Sequence, residues 1–563
     1  MYILGIGGFY HDAAACLIKD GEIVAVAEEE RFNRKKHSSG VPVNAIEFCL
    51  KKASINISQV DHVAYYFNKW GIFLNSIKDA FLLRRRVLDA LKVPAFNLYM
   101  MASLEVDKIK ASDKLGFPFP KMVYIDHHQA HAASAYFVSP YDNAAILILD
   151  LMGESASTSL LIGKGNQISK LKEIKYPHSI GLLYASITDY LGFKVCNDEY
   201  KVMGLASFGD MSLYDEFRKI VRLKPGGEYE IDLKYFTFHK TGRSIRSVSE
   251  LFISKYGLPR KHGEIITQHH KNIAAALQKL TEEIVLNLTE YLYRTVNVDN
   301  LCIAGGVGLN SVANGRILKQ GLFKNIYIQP SSHDAGCAIG CAYYVYNQMQ
   351  GNKKKFIMEH DYYGPEYTDK QIEAVLHNSK VNYKYCDEIE KETAKLLAAG
   401  KIIGWFQGRM EFGPRALGNR SILADPTRAD MMDIINKWVK HREDFRPFAP
   451  AIMEEEAKDY FDISCSSPFM LFVVPVKKNM RKKIPAVTHV DGTARVQTVS
   501  KKNNPKFWGL ISEFKKITGV PVVLNTSFNV MGEPIVCTPA DALRCFFSTG
   551  IDYLVMDNYL ISK

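Results

Sequence analysis

The apolar positions of this sequence recur in two similar blocks that begin about 140 residues apart. In residues 3–29, three apolar runs are separated first by a glycine-rich loop and then by an Asp-Gly turn. Residues 144–174 again have three apolar runs, separated by a loop with Asp150, Gly153 and Glu154 and then by a Gly-Lys-Gly turn. Short apolar runs bounded by turn residues are typical of buried strands. The pattern therefore predicts two three-stranded units, which indicates a duplicated α/β domain with paired loops facing a cleft.

Two strand-to-helix junctions follow the second block. Residues 301–318 begin as an apolar run, break at Gly305 and Gly306, and continue with a helical pattern. The next apolar run also leads into a helix, with Asp334 in the junction. Glycine lets a ligand approach the backbone, and a helix N-terminus attracts anions, so Gly305, Gly306 and Asn310 of this motif are candidate ligand contacts. These junctions support the duplication, which resembles the plan of the actin, sugar kinase and Hsp70 group.

A change of pattern near residue 350 predicts a domain boundary. Residues 350–365 are charged, contain glycine and proline, and show no regular apolar period, which is typical of a linker. We therefore predict a duplicated actin-like (ASKHA) domain at 1–352, a linker at 353–366 and a second α/β domain at 367–563.

Two histidines at helical spacing are candidate metal ligands. His127 and His131 lie in the stretch YIDHHQAHAASAYF, residues 124–137. Residues four apart on a helix share a face, so both imidazoles can reach one ion. Imidazole suits zinc, iron, copper and nickel better than magnesium, and the pair alone does not choose among them. A third ligand has to come from elsewhere in the chain.

Composition excludes several classes of function. Of the 563 residues, 47% are hydrophobic and 23% are charged, which is ordinary for globular proteins. No apolar run approaches the ~18 residues of a membrane span, and the N-terminus lacks the basic start of a signal peptide, so we expect a cytoplasmic protein without a membrane partner. The ten cysteines show no disulfide or zinc spacing. The net charge of +11 comes without a nucleic-acid-binding motif, which favours small anionic ligands over nucleic acid.

The second domain concentrates basic side chains in segments rich in glycine and proline. Arginine forks match phosphate and carboxylate groups, and lysine adds a point charge. Asn525, Ser527 and Asn529 alternate as in a strand, so they would share one face as amide and hydroxyl partners. We interpret the set as a pocket for a compact anion, with the basic members Arg409, Arg415, Arg420, Lys440, Arg442, Arg446 and Arg495.

Long motifs along the whole chain resemble one enzyme family. They are, in order, HDAAACLIKDG, AEEERFNRKKH, DHHQAHAASAY, YKVMGLASFGD, GGVGLN, FGPRALGNRSILADP, HREDFRPFAPA and NTSFNVMGEPIV. In sequence and spacing they are similar to the NodU/CmcH family of O-carbamoyltransferases, which modify antibiotics, nodulation factors and related secondary metabolites. The resemblance implies a first domain similar to the tRNA threonylcarbamoyl transferase TsaD and a YrdC-like second domain.

The resemblance also implies a reaction in two steps. The YrdC-like domain would make carbamoyl adenylate from carbamoyl phosphate and ATP, with Mg²⁺ accompanying the ATP. The first domain would then pass the carbamoyl group to a hydroxyl of a small-molecule alcohol acceptor, at a metal centre with Fe²⁺ held by His127, His131 and Asp334. The positions that match the carbamoyl phosphate and ATP site are Arg415, Lys440, Arg495, Asn525 and Ser527.

His11, in the loop of the first block, matches the family's transfer histidine. A carbamoyl adenylate carries a good leaving group, so the protein has two tasks left: to take the proton of the alcohol and to hold the anionic phosphate. A metal ion would hold the phosphate as a Lewis acid. An imidazole with a pKa of about 6.5 suits the first task near neutral pH. Asp12 would orient this imidazole or the acceptor hydroxyl. The alternative is that His11 only positions the ligand.

Three other functions are compatible with parts of the pattern. A small-molecule kinase would use the actin-like plan with magnesium, but it would not need the second domain. A metallopeptidase of the zincin type carries a glutamate within HExxH, which HHQAH lacks. A nucleotide-switched binding protein would not need two anion sites and a metal pair. The sequence does not identify the acceptor, whose contacts we expect in the segments 70–118 and 212–262.

Overall fold

The computed structural model describes residues 1–82, 87–240 and 248–563. The parts of the two expected acceptor segments at 83–86 and 241–247 therefore lie outside the described residues. The chain forms two compact units, which consist of Met1–Val26 with Ser38–Ile357 and of Ala27–His37 with Met358–Lys563.

The strands described up to residue 328 form two five-stranded sheets and one two-stranded ribbon. They are β1 (Tyr2–Gly7), β2 (Ala14–Lys19), β3 (Glu22–Glu28), β4 (His62–Tyr65), β5 (Met122–Tyr124), β6 (Asn143–Leu149), β7 (Ala156–Lys164), β8 (Gln167–Lys175), β9 (Val221–Lys224), β10 (Glu228–Ile231), β11 (Asn300–Ala304) and β12 (Asn325–Ile328). The sheet orders are β3-β2-β1-β4-β5 and β12-β11-β6-β7-β8, and β9 pairs with β10.

The two five-stranded sheets have the same topology. In each, the first strand pairs antiparallel with the second and parallel with the fourth, which is parallel to the fifth. β1, β6 and β11 are buried along almost their whole length, as expected of strands covered on both faces. The predicted duplicated α/β domain with its two three-stranded blocks is confirmed.

The helices of the same part of the chain connect and cover these sheets. They are α1 (Glu30–Asn33), α2 (Val43–Ala53), α3 (Lys69–Leu82), α4 (Val87–Leu115), α5 (His127–Tyr136), α6 (Ile180–Tyr190), α7 (Glu199–Leu205), α8 (Tyr214–Arg218), α9 (Glu250–Tyr256), α10 (Gln268–Val296), α11 (Ser311–Gln320) and α12 (Cys337–Tyr343). Helices α3 and α4 make up most of the expected acceptor segment 70–118. None of the helices formed by the described residues combines the length and apolar character needed to cross a membrane.

The second unit is a mixed α/β structure around an eight-stranded sheet of order β13-β22-β21-β14-β15-β20-β16-β19. Its strands are β13 (Tyr383–Tyr385), β14 (Ile403–Phe406), β15 (Arg420–Ala424), β16 (Ala449–Met453), β17 (Val473–Pro475), β18 (Thr493–Arg495), β19 (Gln497–Val499), β20 (Val522–Ser527), β21 (Tyr553–Met556) and β22 (Tyr559–Ser562). Its helices are α13 (Asp369–Asn378), α14 (Ile389–Ala398), α15 (Met431–Ile434), α16 (Ala457–Tyr460), α17 (Pro505–Thr518) and α18 (Pro539–Phe547). The α/β class is confirmed, and the YrdC-like assignment stays a prediction.

A short N-terminal segment belongs to the second unit. Ala27–His37 contains α1, and its arginines donate to backbone carbonyls far along the chain. Arg31 Nη2 donates to Gly413 O at 2.8 Å, and Arg34 Nη1 donates to Ile535 O at 2.7 Å. Charge-assisted bonds of this kind fix the segment to the second unit.

Candidate functional site

Four buried side chains of the first unit bring their ligand atoms together. His127 and His131 lie on α5, Asp150 directly follows β6, and Asp334 lies between β12 and α12. Their imidazole nitrogens and carboxylate oxygens all lie within 4.8 Å of one another. None of the four residues is more than 7% exposed. The structure thus brings the three predicted metal ligands together and adds Asp150 to them.

The strand ends explain why these residues meet. β6 and β12 both run parallel to β11, so the segments that follow them emerge at the same edge of the sheet. Ligands of open α/β sheets characteristically bind beyond such carboxyl ends. Two residues separate β5 from α5, and the Asp126 side chain caps α5 by accepting the N–H of Gln129 at 3.2 Å.

The distances within the cluster are those of directly interacting groups. His127 Nε2 lies 3.1 Å from Asp150 Oδ2 and 3.7 Å from Asp334 Oδ1. His131 Nε2 lies 3.8 Å from Asp334 Oδ1. Burial lowers the pKa of His127, but the charges of Asp334 and Asp150 outweigh it and raise that pKa to about 9. Burial and the charge of His127 lower the pKa of His131.

The donor set fits a divalent transition-metal ion. Both ring nitrogens of His131 and Nδ1 of His127 are buried and have no hydrogen-bond partner among the described residues. An unsatisfied buried polar atom costs about 1–3 kcal/mol, so a ligand for these nitrogens would remove an unfavourable contribution. Two imidazoles and two carboxylates together suit iron, zinc or cobalt. Calcium and magnesium prefer sites in which all ligands are oxygen atoms.

Neighbouring groups hold the cluster in place. Glu154 accepts the N–H of His127 at 3.1 Å and the N–H of Asn68 at 2.9 Å, and so ties the start of α5 to the segment after β4. The Tyr66 hydroxyl donates to Asp334 Oδ2 at 3.2 Å. Neither Asp150 nor Glu154 was predicted from the sequence as a site residue, although both lie in the loop of the second apolar block, the counterpart of the loop that holds His11.

His11 and Asp12 form a pair in the loop between β1 and β2. His11 Nδ1 lies 2.9 Å from Asp12 Oδ2, and Asp12 adopts a left-handed backbone with φ of 54°, which aspartate tolerates better than most residues. Burial lowers the pKa of His11, but the charges of Asp334, Asp12 and Asp150 outweigh it and raise the pKa to about 10. The His11 side chain is 35% exposed, so water screens part of this effect. The carboxylates around His11 therefore favour its protonated form.

The predicted contacts Gly305, Gly306 and Asn310 have structural roles beside the cluster. Gly305 has φ of +91°, and a Cβ there would lie 2.3 Å from the last carbonyl oxygen of β6. Gly306 donates its N–H to Asp150 Oδ1 at 3.1 Å and so orients that carboxylate. The Asn310 side chain accepts the N–H of Ala313 at 3.0 Å and caps α11. Of these three residues, Gly306 is connected to the cluster by its bond to Asp150.

The second unit contains the predicted basic group at the end of β20. Lys440 is 3% exposed, and its Nζ donates to Ser527 O, to Asn529 O at 3.0 Å and to Asn529 Oδ1 at 2.9 Å. Burial and then the charge of Arg442 lower the pKa of Lys440. Asn525 donates to Gln497 Oε1 at 2.8 Å, while its own Oδ1 is buried without a partner among the described residues. The structure brings Lys440 to Ser527.

Arg495 lies among like charges. Burial, followed by the charges of Arg415, Arg442 and Arg446, holds the pKa of Arg495 well below its usual range. Its Nε is buried and has no hydrogen-bond partner in the described ranges. A cluster of guanidinium groups that repel one another is stabilised by an anion between them. The arrangement can therefore bind phosphate or carboxylate groups.

Two of the basic residues assigned to the pocket have other partners. The Arg420 guanidinium is fully buried, stacks 3.6 Å from the ring centroid of Phe406 and donates to the backbone oxygens of Gln407 and Asn419. Arg409 donates to the backbone oxygen of Tyr363 at 2.5 Å. These contacts give Arg409 and Arg420 a role in the packing of the second unit.

Two family profiles match most of the chain. The profile described as carbamoyltransferase N-terminus matches residues 2–343, and the profile described as carbamoyltransferase C-terminus matches residues 394–563. An uncharacterized protein of Synechocystis sp. is 42% identical over 100% of this chain and 97% of its own length. The nodulation protein NolNO of Sinorhizobium fredii is 40% identical over 99% of this chain and 79% of its own length.

Similarity to solved structures is weaker. A crystal structure of full-length HypF in the phosphate- and nucleotide-bound form covers 62% of this chain and 56% of that chain, with 13% identity and a TM-score of 0.32.

Proposed function

The chain belongs to the carbamoyltransferase family, and from this premise we propose that it is an ATP-dependent O-carbamoyltransferase acting on a small-molecule alcohol. The observation that carries the proposal is the presence of two different sites in the two compact units of one chain. The first unit holds a histidine–carboxylate cluster beside His11. The second unit holds a cationic cluster around Arg495. A two-step carbamoyl transfer needs both kinds of chemistry.

The second unit would form the activated intermediate. Carbamoyl phosphate, ATP and one water molecule give carbamoyl adenylate, phosphate and pyrophosphate. Arg415, Lys440 and Arg495 would hold the anionic groups of both substrates, and Mg²⁺ would accompany the ATP. Asn525 and Ser527 would supply amide and hydroxyl contacts. The buried, unpartnered Oδ1 of Asn525 supports this assignment, because it is free to accept a hydrogen bond from a ligand.

The first unit would perform the transfer. The oxygen of the acceptor alcohol bonds to the carbamoyl carbon, the bond from that carbon to the phosphate oxygen breaks, and AMP leaves. His11 takes the proton of the alcohol on Nε2, because Asp12 occupies Nδ1. A metal ion held by His127, His131, Asp150 and Asp334, with Fe²⁺ as the ion that the resemblance implies, would act as a Lewis acid toward the phosphate of the adenylate.

Mass spectrometry can test this function while the acceptor is still unidentified. An extract of small metabolites is incubated with the protein, ATP and carbamoyl phosphate labelled with ¹³C in the carbamoyl group. We expect at least one metabolite to gain a carbamoyl group that carries the label, and the same product to be missing when ATP is omitted. A metabolite that instead gains phosphate, with no need for carbamoyl phosphate, would show that the protein is a kinase.

A further inference from the structure

A thiol lies beside the two imidazoles of the candidate metal centre. Cys337 is the first residue of α12, three residues after Asp334, and it is fully buried. Its Sγ forms a second group of candidate ligand atoms with His127 and His131, again with all atoms within 4.8 Å of one another. This group shares both imidazoles with the histidine–carboxylate cluster and contains neither Asp150 nor Asp334.

The packing of α12 on α5 explains the position of this thiol. Gly340 lies one turn after Cys337, and a Cβ on Gly340 would lie 1.8 Å from Ala130 O on α5. Only a residue without a side chain permits this approach of the two helices. Residues three apart on a helix share a face, so Cys337 is on the side of α12 that packs against α5.

The ring nitrogens of His131 are available to bind an ion between the two imidazoles and the thiol. His131 is fully buried, and neither of its ring nitrogens has a hydrogen-bond partner among the described residues. Sulfur and imidazole nitrogen together select borderline and soft ions, whereas carboxylate alone suits hard ions. A sulfur ligand from Cys337 would therefore change the chemical character of the donor set.

We propose that Cys337 is a further ligand of this centre, so that the site takes thiophilic divalent ions such as Fe²⁺, Co²⁺, Zn²⁺ and Cd²⁺ in preference to Mn²⁺ or Mg²⁺. When its sulfur binds the ion, the thiol releases its proton to solvent. The proposal concerns metal binding only, so it stands or falls independently of the group that the protein transfers.

The absorption spectrum of the Co²⁺-loaded protein tests the proposal directly. The full-length protein is freed of metal with a chelator and reloaded with Co²⁺. A bond between sulfur and cobalt gives a charge-transfer band in the near ultraviolet, which nitrogen and oxygen ligands do not give. We expect this band in the wild type and not in Cys337→Ser, while His131→Asn loses the visible cobalt bands as well. A wild-type Co²⁺ protein without the near-ultraviolet band would overturn the proposal.

Metal affinities provide a second readout. Loss of one ligand should weaken Cd²⁺ binding of Cys337→Ser by at least about 10–100-fold, the range found even for outer-sphere partners of metal ligands. Mn²⁺ binding should change by less than about threefold, because Mn²⁺ gains little from sulfur. Equal losses for the two ions would mean general damage to the site, and unchanged Cd²⁺ affinity would mean that sulfur does not bind; either result contradicts the proposal.

Cys341 offers a matched control. It lies on the same helix four residues later and is equally buried, and it is not in either candidate ligand group of this centre found in the described residues. Cys341→Ser should keep both the charge-transfer band and the Cd²⁺ affinity. Thermal unfolding of metal-free Cys337→Ser and Cys341→Ser shows whether each variant folds, and Cys337→Ala serves as a second substitution at the site. If Cys341→Ser loses the band and Cys337→Ser keeps it, the assignment of the ligand is wrong.

Discussion

His131 shows most directly how single residues define the candidate metal centre. It is buried beside His127 and Asp334, yet neither of its ring nitrogens has a hydrogen-bond partner among the described residues. Its neighbour His128 is buried on the same helix but bonds through Nδ1 to the Ser159 hydroxyl at 2.7 Å. A residue that served only the packing of α5 would be expected to have a partner of this kind.

This contrast predicts different effects of two substitutions on the same helix. His131→Asn removes a ligand and should lower metal affinity by at least about 10–100-fold, with a corresponding loss of metal after dialysis. His128→Asn should retain the metal, because His128 is not part of the ligand group. Elemental analysis of the purified variants gives the occupancy. Full occupancy of His131→Asn would remove this residue from the site.

Two arginines of the second unit predict opposite effects on stability. Arg495 carries a charge that burial and neighbouring guanidinium groups disfavour, whereas Arg420 donates several hydrogen bonds to backbone oxygens. Arg495→Gln should leave the ligand-free protein as stable as the wild type or more stable. Arg420→Gln should lose at least about 3 kcal/mol, because charge-assisted hydrogen bonds contribute about 1.5–3 kcal/mol each.

Thermal unfolding with and without pyrophosphate measures both arginine variants. The wild type should be stabilised by pyrophosphate, and Arg495→Gln should lose that stabilisation because the anion has lost a charge partner. If Arg495→Gln unfolds at a lower temperature without ligand and still responds fully to pyrophosphate, Arg495 belongs to the packing of the unit and not to an anion site.

At the scale of elements, the apolar pattern predicted individual strands, because a strand depends on residues that are neighbours along the chain. The strands β1–β3 and β6–β8 each follow from three apolar runs with turn residues between them. Pairing across the sheet, such as β11 between β6 and β12, depends on contacts between distant segments. The sequence alone places Asp150 directly after a strand. Its approach to His127 depends on how the distant strands pair across the sheet.

The contact between α5 and α12 gives a prediction at this scale. Gly340→Ala would place a methyl group 1.8 Å from Ala130 O, so the helices would have to separate. Overpacking of this kind typically costs about 1–3 kcal/mol, and we expect the metal affinity to fall as the ligands on the two helices move apart.

Gly509 on α17 is the control for this substitution. A Cβ there would meet Glu390 Cγ at 3.7 Å, which is ordinary contact, so Gly509→Ala should be neutral or should stabilise α17 by up to about 1 kcal/mol. Denaturant unfolding and metal titration measure both variants. Equal stability and equal metal affinity of the two variants would show that the close helix contact does not support the metal centre.

At the scale of the whole molecule, the chain does not divide at a single position. Ala27–His37 joins the second unit through the bonds of Arg31 and Arg34, while the residues before and after it belong to the first. The local pattern of apolar residues does not indicate that this segment belongs to the second unit, because the partners Gly413 and Ile535 lie several hundred residues away. Arg409 and Arg420 donate to the backbone oxygens of Tyr363, Gln407 and Asn419, and a pattern of basic residues along the chain does not show these bonds.

The assignment of one half-reaction to each unit predicts two complementary variants. His11→Asn keeps the size of the side chain but cannot take the proton, so transfer to the acceptor should fall by about 10²–10⁴ while formation of carbamoyl adenylate continues. Ser527→Glu places a carboxylate beside Lys440 and should stop adenylate formation. Preformed carbamoyl adenylate should restore the activity of Ser527→Glu and not that of His11→Asn. Loss of adenylate formation in His11→Asn would contradict the role given to His11.

Isotope exchange between pyrophosphate and ATP tests the central claim most directly, because it needs no acceptor. If the protein forms carbamoyl adenylate reversibly, labelled pyrophosphate should enter ATP only when carbamoyl phosphate is present. The exchange should persist in His11→Asn and disappear in Arg495→Gln. Exchange that does not depend on carbamoyl phosphate, or conversion of ATP to ADP with no exchange at all, would contradict the proposed carbamoyl transfer.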